Sequence, residues 1–279
     1  MIKNQKITPS HGKSFLLDVH AINDGTQRPV IIFSHGFKGF KDWGHWGLIG
    51  EYFAKEGFIF IKYNFSHNGT TLENPHDFDD LEAFGENNFS KELEDLGAVI
   101  DWVSSENSPL KSIFNGNITL IGHSRGGATS ILKAIHDTRV HQLITWASVN
   151  AVDYAWRKER FVEKWSADGV IYARNGRTKQ DMPLNFQLYE DFISNKDRFD
   201  IQKLSRDFNK PYLILHGDKD PAVSIESAKY LHQIFKNSKM EIIFDANHVF
   251  NGFHPYNLET LPKETVTLLD KSIEFLRKQ

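Results

Sequence analysis

The chain contains no cysteine among its 279 residues. Without thiols it can form no disulfide, no thiolate zinc site, no iron–sulfur cluster and no cysteine nucleophile. Any covalent catalysis must therefore use an oxygen or a nitrogen nucleophile. A chain of this length buries roughly three quarters of the surface that it exposes when unfolded, so it needs no disulfide for stability.

The sequence also lacks a surplus of charge of either sign. Its 33 basic and 36 acidic residues give a net charge of -3, whereas proteins that bind nucleic acid or acidic membranes usually carry a basic surplus. No window approaches the roughly 18 apolar residues of a membrane span, and the first residues, MIKNQKITPSHGKSF, do not resemble a signal peptide. We therefore expect a cytoplasmic protein with neither a nucleic-acid nor a membrane partner.

Short apolar runs that alternate with amphipathic stretches predict an α/β fold. Each run is typical of a strand buried on both faces, and the alternation favours a mainly parallel sheet with helices on both sides. The apolar runs are VIIF at 30–33, FIFIKY at 58–63, ITLI at 118–121, LITW at 143–146, YLIL at 212–215 and EIIF at 241–244. The predicted helices cover 43–55, 91–104, 124–136, 225–235 and 260–276. Residues 14–20 alternate more strictly and predict an antiparallel edge strand.

The alternation stops between residues 149 and 211. We predict a helix at 154–165, a β-hairpin at 169–184 that turns at Asn175-Gly176, and a further helix at 185–194. These roughly 60 residues are too few to bury a core of their own. The prediction is therefore a single domain over residues 1–279, with a cap insertion at about 151–207 that lies over the sheet.

A G-x-S-x-G pattern, GHSRG at 122–126, follows the ITLI run and precedes a predicted helix. In this pattern a tight strand-to-helix turn exposes a serine hydroxyl, here that of Ser124, at the edge of a sheet. The two flanking glycines suit the turn because side chains would clash there. An ordinary glycine-rich turn is the alternative, but the position between strand and helix favours a nucleophile.

A serine nucleophile needs a base, and the base needs an acid to orient it. After this serine pattern, the acid and then the histidine are expected later in the chain. His248 follows the last apolar run and is the favoured base. His254 competes with it, but it precedes a proline in a loop.

Two aspartates follow the YLIL run, Asp218 and Asp220. A turn of this kind commonly uses one aspartate to brace the loop and the other to hold the imidazole. We favour Asp220 as the partner of His248, with Asp153, which follows the LITW run, as a third choice. All of these positions lie just past predicted strands, where sites form in open α/β sheets.

The charged intermediate of acyl transfer needs backbone N–H donors beside the nucleophile. One is expected from Arg125, the residue after the serine, and the second from Phe37 in the loop after the first buried strand. The Arg125 side chain is not needed for this role. It is interpreted as a solvated charge or as a contact within the cap.

Four ordered motifs, SHGF, GHSRGG, HGDKDPAV and ANHVF, resemble those of the α/β-hydrolase superfamily over residues 28–276. The chain is most similar to small bacterial esterases of the cinnamoyl/feruloyl type and to acylaminoacyl-peptidase-like members. The resemblance implies an α/β-hydrolase fold, a Ser124–His248–Asp220 triad and an acyl-enzyme intermediate. The sequence departs from the family pattern in two places, NFSHNG at 64–69 and Asn247 before the histidine. Both departures leave the triad intact but argue against assignment to a particular subfamily.

We therefore expect a serine carboxylesterase that acts on a small-molecule ester, without a cofactor or a metal, as a monomer or a homodimer. An amidase or peptidase with the same triad is the alternative, and a hydrolase-fold protein that only binds a ligand is a third possibility. The cap carries aromatic residues that can line an acyl pocket or simply pack the cap onto the sheet. The candidate substrate residues are Trp43, which lies near the first motif, and Trp165, Tyr172, Phe186 and Tyr189 in the cap.

Overall fold

The computed structural model describes residues 1–154, 156 and 159–278, without the side chain at position 159. Its strands are β1 Ile2–Ile7, β2 Phe15–His20, β3 Arg28–Ser34, β4 Ile59–Tyr63, β5 Phe114–His123, β6 Val140–Trp146, β7 Val170–Arg174, β8 Asp181–Asn185, β9 Tyr212–Gly217 and β10 Ser238–Ile243. Its helices are α1 Trp46–Lys55, α2 Leu81–Gly85, α3 Phe89–Ser104, α4 Arg125–His136, α5 Glu159–Asp168, α6 Gln187–Ser194, α7 Lys196–Phe199, α8 Ile201–Leu204, α9 Glu226–Ile234 and α10 Lys263–Arg277. A 3-10 turn covers Ser205–Asp207.

Eight strands form one sheet in the order β1-β2-β4-β3-β5-β6-β9-β10. Strands β3, β4, β5, β6, β9 and β10 pair in parallel, whereas β2 is antiparallel to both β1 and β4. The predicted mainly parallel sheet is therefore confirmed. The expectation that residues 14–20 form an edge strand is wrong, because β1 pairs outside β2 and every residue of β2 is buried. The mostly exposed sequence of β1 gave no apolar signal.

Helices cover both faces of this sheet, which explains the uninterrupted apolar runs. In β3, Val30 and Ile32 contribute to the core under α3, α4 and α9, and Ile31 and Phe33 contribute to the core under α1 and α10. At the start of α3 the Asn88 side chain accepts a hydrogen bond from the Lys91 N–H and so caps the helix. Among the described helices, none is long and apolar enough to cross a membrane.

The segment between β6 and β9, residues 151–207, is called the cap segment below. It contains a hairpin as predicted, formed by β7 and β8, but the two-residue turn at Asn175-Gly176 is wrong. The strands close at Arg174 opposite Asp181, so the loop spans residues 175–180. The Asn175 side chain organises this loop, since its oxygen accepts from the backbone N–H groups of Arg177 and Thr178. Asn175 therefore helps to form the turn through its side chain, within a six-residue loop rather than the predicted two-residue turn.

The helix predicted at 154–165 begins later, at α5, and positions 155, 157 and 158 lie outside the described residues. The other predicted cap helix corresponds to α6. The cap segment is hydrogen-bonded to α2 and to the start of α3: Asn185 donates to Glu86, and Ser90 donates to Asp191. These contacts place the cap segment beside the carboxyl ends of the parallel strands. The assignment of one domain with an insertion stays a prediction.

Candidate active site

Ser124 occupies the turn between β5 and α4, at the carboxyl edge of the sheet. Its φ is 56° and its ψ is -120°, a conformation that non-glycine residues rarely adopt and that is held only where the surroundings impose it. The backbone imposes it here: the Ser124 N–H donates to the Trp146 carbonyl at 3.0 Å, and the Gly127 N–H donates to the Ser124 carbonyl at 3.0 Å. The turn expected from the GHSRG pattern is therefore present.

Close packing explains the glycines around this serine. A Cβ atom at Gly122 would lie 2.3 Å from the Gly126 carbonyl oxygen, and one at Gly126 would lie 2.3 Å from the His35 carbonyl oxygen. Both distances are well below van der Waals contact, and backbone atoms cannot move aside easily. The two glycines therefore let α4 approach both β5 and the loop after β3.

His248 lies between the other two predicted triad residues. Its Nε2 is 3.0 Å from Ser124 Oγ, and its Nδ1 is 2.7 Å from Asp220 Oδ2. These distances are within hydrogen-bond reach for proton transfer. The competing His254 lies elsewhere, because its Nδ1 accepts a hydrogen bond from the Gly44 N–H at 2.9 Å.

Asp220 both braces its own loop and contacts the imidazole. Its Oδ1 accepts from the N–H groups of Ala222 and Val223 at 2.8 and 2.9 Å, while Oδ2 faces His248. The expected division of labour with Asp218 is therefore wrong, since Asp218 is exposed. Burial raises the pKa of Asp220, but hydrogen bonds from His216 and His248 outweigh it and hold the pKa well below its usual range.

Two further histidines, for which the sequence predicted no role, support this arrangement. His216 is fully buried on β9, with its Nε2 2.9 Å from the Val223 carbonyl and 3.3 Å from Asp220 Oδ2. His123 Nε2 donates to the His248 backbone carbonyl at 2.8 Å. Burial lowers the pKa of His123 to about 3, so its ring stays neutral and keeps the loop of His248 in place.

The loop after β3 passes directly against the serine. A Cβ atom at Gly36 would lie 2.9 Å from Ser124 Cβ, so the next residue, Phe37, is close to the nucleophile. Buried His35 fixes this loop, because its Nδ1 donates to the Gly36 carbonyl at 2.9 Å and its Nε2 accepts from the Phe65 N–H at 3.3 Å. Burial lowers the pKa of His35 to about 4, consistent with the neutral ring that this pattern requires.

The Arg125 side chain is not a solvated charge, so the first of its two interpretations is wrong, whereas the nearby Tyr154 hydroxyl agrees with the second, a contact within the cap. The Arg125 side chain is 6% exposed, and its Nε donates to Glu92 Oε1 at 2.7 Å. Glu92, on α3, was not predicted from the sequence, and it also accepts from the Thr129 hydroxyl at 2.7 Å. The guanidinium lies 4.0 Å from the centroid of the Phe89 ring. Burial lowers its pKa, but the charge of Glu92 and the nearby Tyr154 hydroxyl of the cap segment give a net rise.

An apolar cavity of about 550 Å³ lies between the cap segment and the proposed oxyanion residues Phe37 and Arg125. Of the five candidate substrate residues, the structure brings Tyr172 to this cavity. The other lining residues are Tyr154, Trp156, Phe161, Lys164, Ile171, Ala173, Leu184 and Leu188. The cavity therefore offers aromatic and aliphatic walls with few polar groups, which suits an apolar ligand.

The remaining candidate substrate residues pack elsewhere. Trp165 is fully buried and contacts the rings of Phe186 and Tyr189, and its Nε1 donates to the Leu184 carbonyl at 2.8 Å. Trp43 stacks on His254 and packs against the cluster of Phe40, Phe78, Phe84 and the cap residue Met182. These four aromatic residues therefore pack the cap segment and the sheet, as the alternative interpretation had it, and do not line the cavity. Within the described part of the chain, no group of three or more histidine or acidic side chains is placed to hold a metal ion.

Comparisons with known proteins agree with this architecture. The family described as alpha/beta hydrolase fold matches residues 172–255, which include Asp220 and His248. A Mycoplasma genitalium relative described as "Putative esterase/lipase 2" is 23% identical over 291 residues, covering 97% of this chain and 98% of that protein.

Two solved structures are similar over almost their whole length. Est1E from Butyrivibrio proteoclasticus with bound ferulic acid has a TM-score of 0.70 at 18% identity, covering 99% of this chain and 98% of that one. The esterase domain of a Rhodothermus marinus protein has a TM-score of 0.66 at 18% identity, covering 100% and 98%. The resemblance that the four motifs predicted is thus confirmed, and this chain has the α/β-hydrolase fold.

Proposed function

We propose that this protein is a serine carboxylesterase in which Ser124, His248 and Asp220 form the catalytic triad. The observation that carries the proposal is the continuous hydrogen-bond chain from Ser124 Oγ through both ring nitrogens of His248 to Asp220 Oδ2. A serine hydroxyl is a weak nucleophile unless a base removes its proton. In this hydrogen-bond chain His248 is the base, and the Asp220 carboxylate orients the imidazole and stabilises its protonated form.

The proposed reaction has two halves. Ser124 Oγ bonds to the ester carbonyl carbon while its proton passes to His248 Nε2. The C–O bond to the alcohol then breaks, and His248 returns the proton to the leaving oxygen. A water molecule next attacks the carbonyl carbon of the acyl-enzyme while its proton passes to the same nitrogen. The bond between that carbon and Ser124 Oγ then breaks, His248 returns the proton to Ser124 Oγ, and the acid is released.

The backbone N–H groups of Phe37 and Arg125 are the proposed oxyanion donors. The close approach of the Gly36 loop to Ser124 supports the first. The position of Arg125 at the first residue of α4, directly after Ser124, supports the second, because N–H groups at a helix start lack partners within the helix. Donors aimed at the developing charge supply much of the rate enhancement in acyl transfer.

The apolar cavity beneath the cap segment is the proposed acyl site. Its walls suit an aromatic or medium-length aliphatic acyl group. The esterase descriptions of the relatives and the ferulic acid bound by Est1E support an ester substrate, including esters of the cinnamoyl type. We place the cap at residues 151–207 of a single domain, where it shapes this site.

The test compares an ester with an amide of the same acyl group. We expect p-nitrophenyl butanoate to be hydrolysed with a burst of about one p-nitrophenol per enzyme if deacylation is slow, and the matching p-nitroanilide to react at least about a hundredfold more slowly. Faster turnover of the anilide would favour an amidase. Absence of turnover over a broad ester panel, with ligand binding retained, would contradict the proposal and favour a binding protein.

A further inference from the structure

Two buried polar atoms near the Gly36 loop have no hydrogen-bond partner among the described residues: Arg125 Nη2 and Asn87 Oδ1. The first is a donor and the second an acceptor. Both residues line one small cavity of about 20 Å³, together with Gly36 and Phe37. Buried polar groups are nearly always paired in native proteins, so an unpaired donor and an unpaired acceptor on residues that line the same cavity point to a polar group, a water or part of a ligand, that pairs with them.

A single carboxylate fixes the orientation of both residues. Glu92 Oε1 accepts from Arg125 Nε at 2.7 Å and from Asn87 Nδ2 at 2.8 Å. The amide nitrogen of Asn87 must face this carboxylate, so the amide oxygen is the atom that has no hydrogen-bond partner. The Tyr154 hydroxyl is near the guanidinium, but it leaves Nη2 without a hydrogen bond. The donor and the acceptor are therefore set by the protein before any ligand enters.

The size and polarity of the cavity define the ligand group. Its volume is slightly more than the ~10–15 Å³ that one water-sized group needs. A hydroxyl can both accept from Arg125 and donate to Asn87, whereas a carbonyl or an ether oxygen can only accept. A carboxylate fits poorly because Glu92 already balances the charge of Arg125, and the added charge would be buried without a partner.

We propose that Arg125 and Asn87 form a subsite for a hydroxyl group on the acyl part of the substrate, which makes Arg125 a specificity-determining residue. This inference rests on the proposed esterase function. The cavity is lined by Phe37 and Arg125, the two residues whose backbone N–H groups are the proposed oxyanion donors, so the proposed hydroxyl is on a carbon near the ester carbonyl. The substrate class is therefore esters of 2-hydroxy or 3-hydroxy acids, whose apolar remainder occupies the larger cavity.

The test uses p-nitrophenyl esters of butanoic, 2-hydroxybutanoic and 3-hydroxybutanoic acids and of their methoxy counterparts. Each kcat/KM is divided by the rate of hydrolysis by hydroxide, which removes differences in intrinsic reactivity. We expect the wild type to prefer one hydroxy ester over butanoate by roughly tenfold or more, as for a hydrogen bond to a charged donor. The methoxy ester, which is larger and cannot donate, should lose this preference.

Variants then assign the preference to the subsite. Asn87→Ala should lower the ratio of hydroxy ester to butanoate about threefold, and Arg125→Met about tenfold. Since Arg125→Met leaves the buried Glu92 carboxylate without its counter-charge, the double variant Arg125→Met/Glu92→Gln is measured as well. The ratio does not depend on the folded fraction. Thr129→Val is the matched control, because it removes a bond to Glu92 without touching the cavity, and it should keep the wild-type ratio.

The outcomes separate the two proposals. If the wild type hydrolyses butanoate but shows no preference for either hydroxy ester, the cavity holds only water and the subsite is refuted while the esterase function stands. A preference that persists in both Asn87→Ala and Arg125→Met also refutes the subsite. If the wild type hydrolyses none of the esters, the proposed function fails, and the subsite proposal fails with it.

Discussion

Asp220 Oδ2 lies 2.7 Å from His248 Nδ1, and the other oxygen of the same carboxylate is held by two backbone N–H groups of its own loop. The carboxylate is therefore fixed before it fixes the imidazole. This arrangement explains why a side chain on the loop after β9 can orient a ring on the loop after β10. It also predicts how the activity should change when only the negative charge of Asp220 is removed.

Asp220→Asn is expected to lower kcat by about 10⁴-fold, because an amide either loses the bond to Nδ1 or stabilises the wrong tautomer of His248. The variant should remain folded, since the asparagine oxygen can still accept from the loop. Asp218→Asn is the matched control, because Asp218 is exposed in the same loop. Its activity should stay within about twofold of the wild type, as expected for a surface change. Equal losses in the two variants would show that the loop, and not the Asp220 charge, matters.

Gly126→Ala is expected to destabilise the protein by more than about 3 kcal/mol, because the added Cβ would lie 2.3–2.4 Å from two backbone carbonyl oxygens. Gly47→Ala tests the same chemical change where nothing lies within 4 Å, inside α1. This second substitution should stabilise the protein by about 0.5–1 kcal/mol. Urea unfolding of both variants measures these differences. A Gly126→Ala protein as stable as the wild type would refute the packing argument.

His45 should make the protein acid-sensitive. It is buried, its Nε2 lies 3.1 Å from the Thr265 hydroxyl, and burial lowers its pKa to about 4. Since an unfolded histidine titrates near 6.5, the unfolded chain binds more protons between these values, and stability falls as the pH drops from about 6.5 to 4. His45 contributes up to about 1.4 kcal/mol per pH unit to that slope.

The measurement is the free energy of unfolding of the wild type and of His45→Gln between pH 4 and pH 8. The difference between the two proteins should be constant above pH 7, where the imidazole is neutral in both states. Below pH 6.5 the wild type should lose stability more steeply than the variant. Parallel curves over the whole range would show that His45 does not titrate differently on folding.

Ala173→Phe should shorten the acyl group that the enzyme accepts. Ala173 lies on β7 and lines the apolar cavity, so a phenyl ring there would fill part of its 550 Å³. The kcat/KM for p-nitrophenyl octanoate should fall by about tenfold, whereas that for the acetate should change less than about twofold. An equal fall on both esters would mean that this cavity does not bind the acyl chain.

The sequence was sufficient for the parallel strands of the sheet and for bringing forward the three residues of the proposed triad, because those signals are local. Each apolar run lies largely within a strand, and Ser124, Asp220 and His248 each follow one. Strand β1 could not be predicted, since IKNQKI has no apolar pattern and forms only because β2 offers a free edge. The Asn175-Gly176 turn failed because the asparagine side chain stabilises a longer loop.

Contacts between residues that are far apart in the sequence could not be predicted either. Glu92 is 33 positions before Arg125, and nothing in α3 distinguishes it from an exposed helix glutamate until the fold brings the two together. The acyl cavity shows the same limit. Cap aromatics were expected to line it, and four do: Tyr154, Trp156, Phe161 and Tyr172. Trp165 and Phe186 pack the cap segment instead, and aliphatic side chains from β7, β8 and α6 complete the wall.

The central claim is that Ser124 is the nucleophile, and the most direct test is intact mass after reaction with a fluorophosphonate. The wild type should gain one probe adduct per chain, Ser124→Ala should gain none, and Ser148→Ala, which changes a buried serine near the same turn, should label like the wild type. Digestion of the labelled protein should place the adduct on the peptide that contains Ser124. Labelling of Ser124→Ala at the wild-type rate would contradict the account.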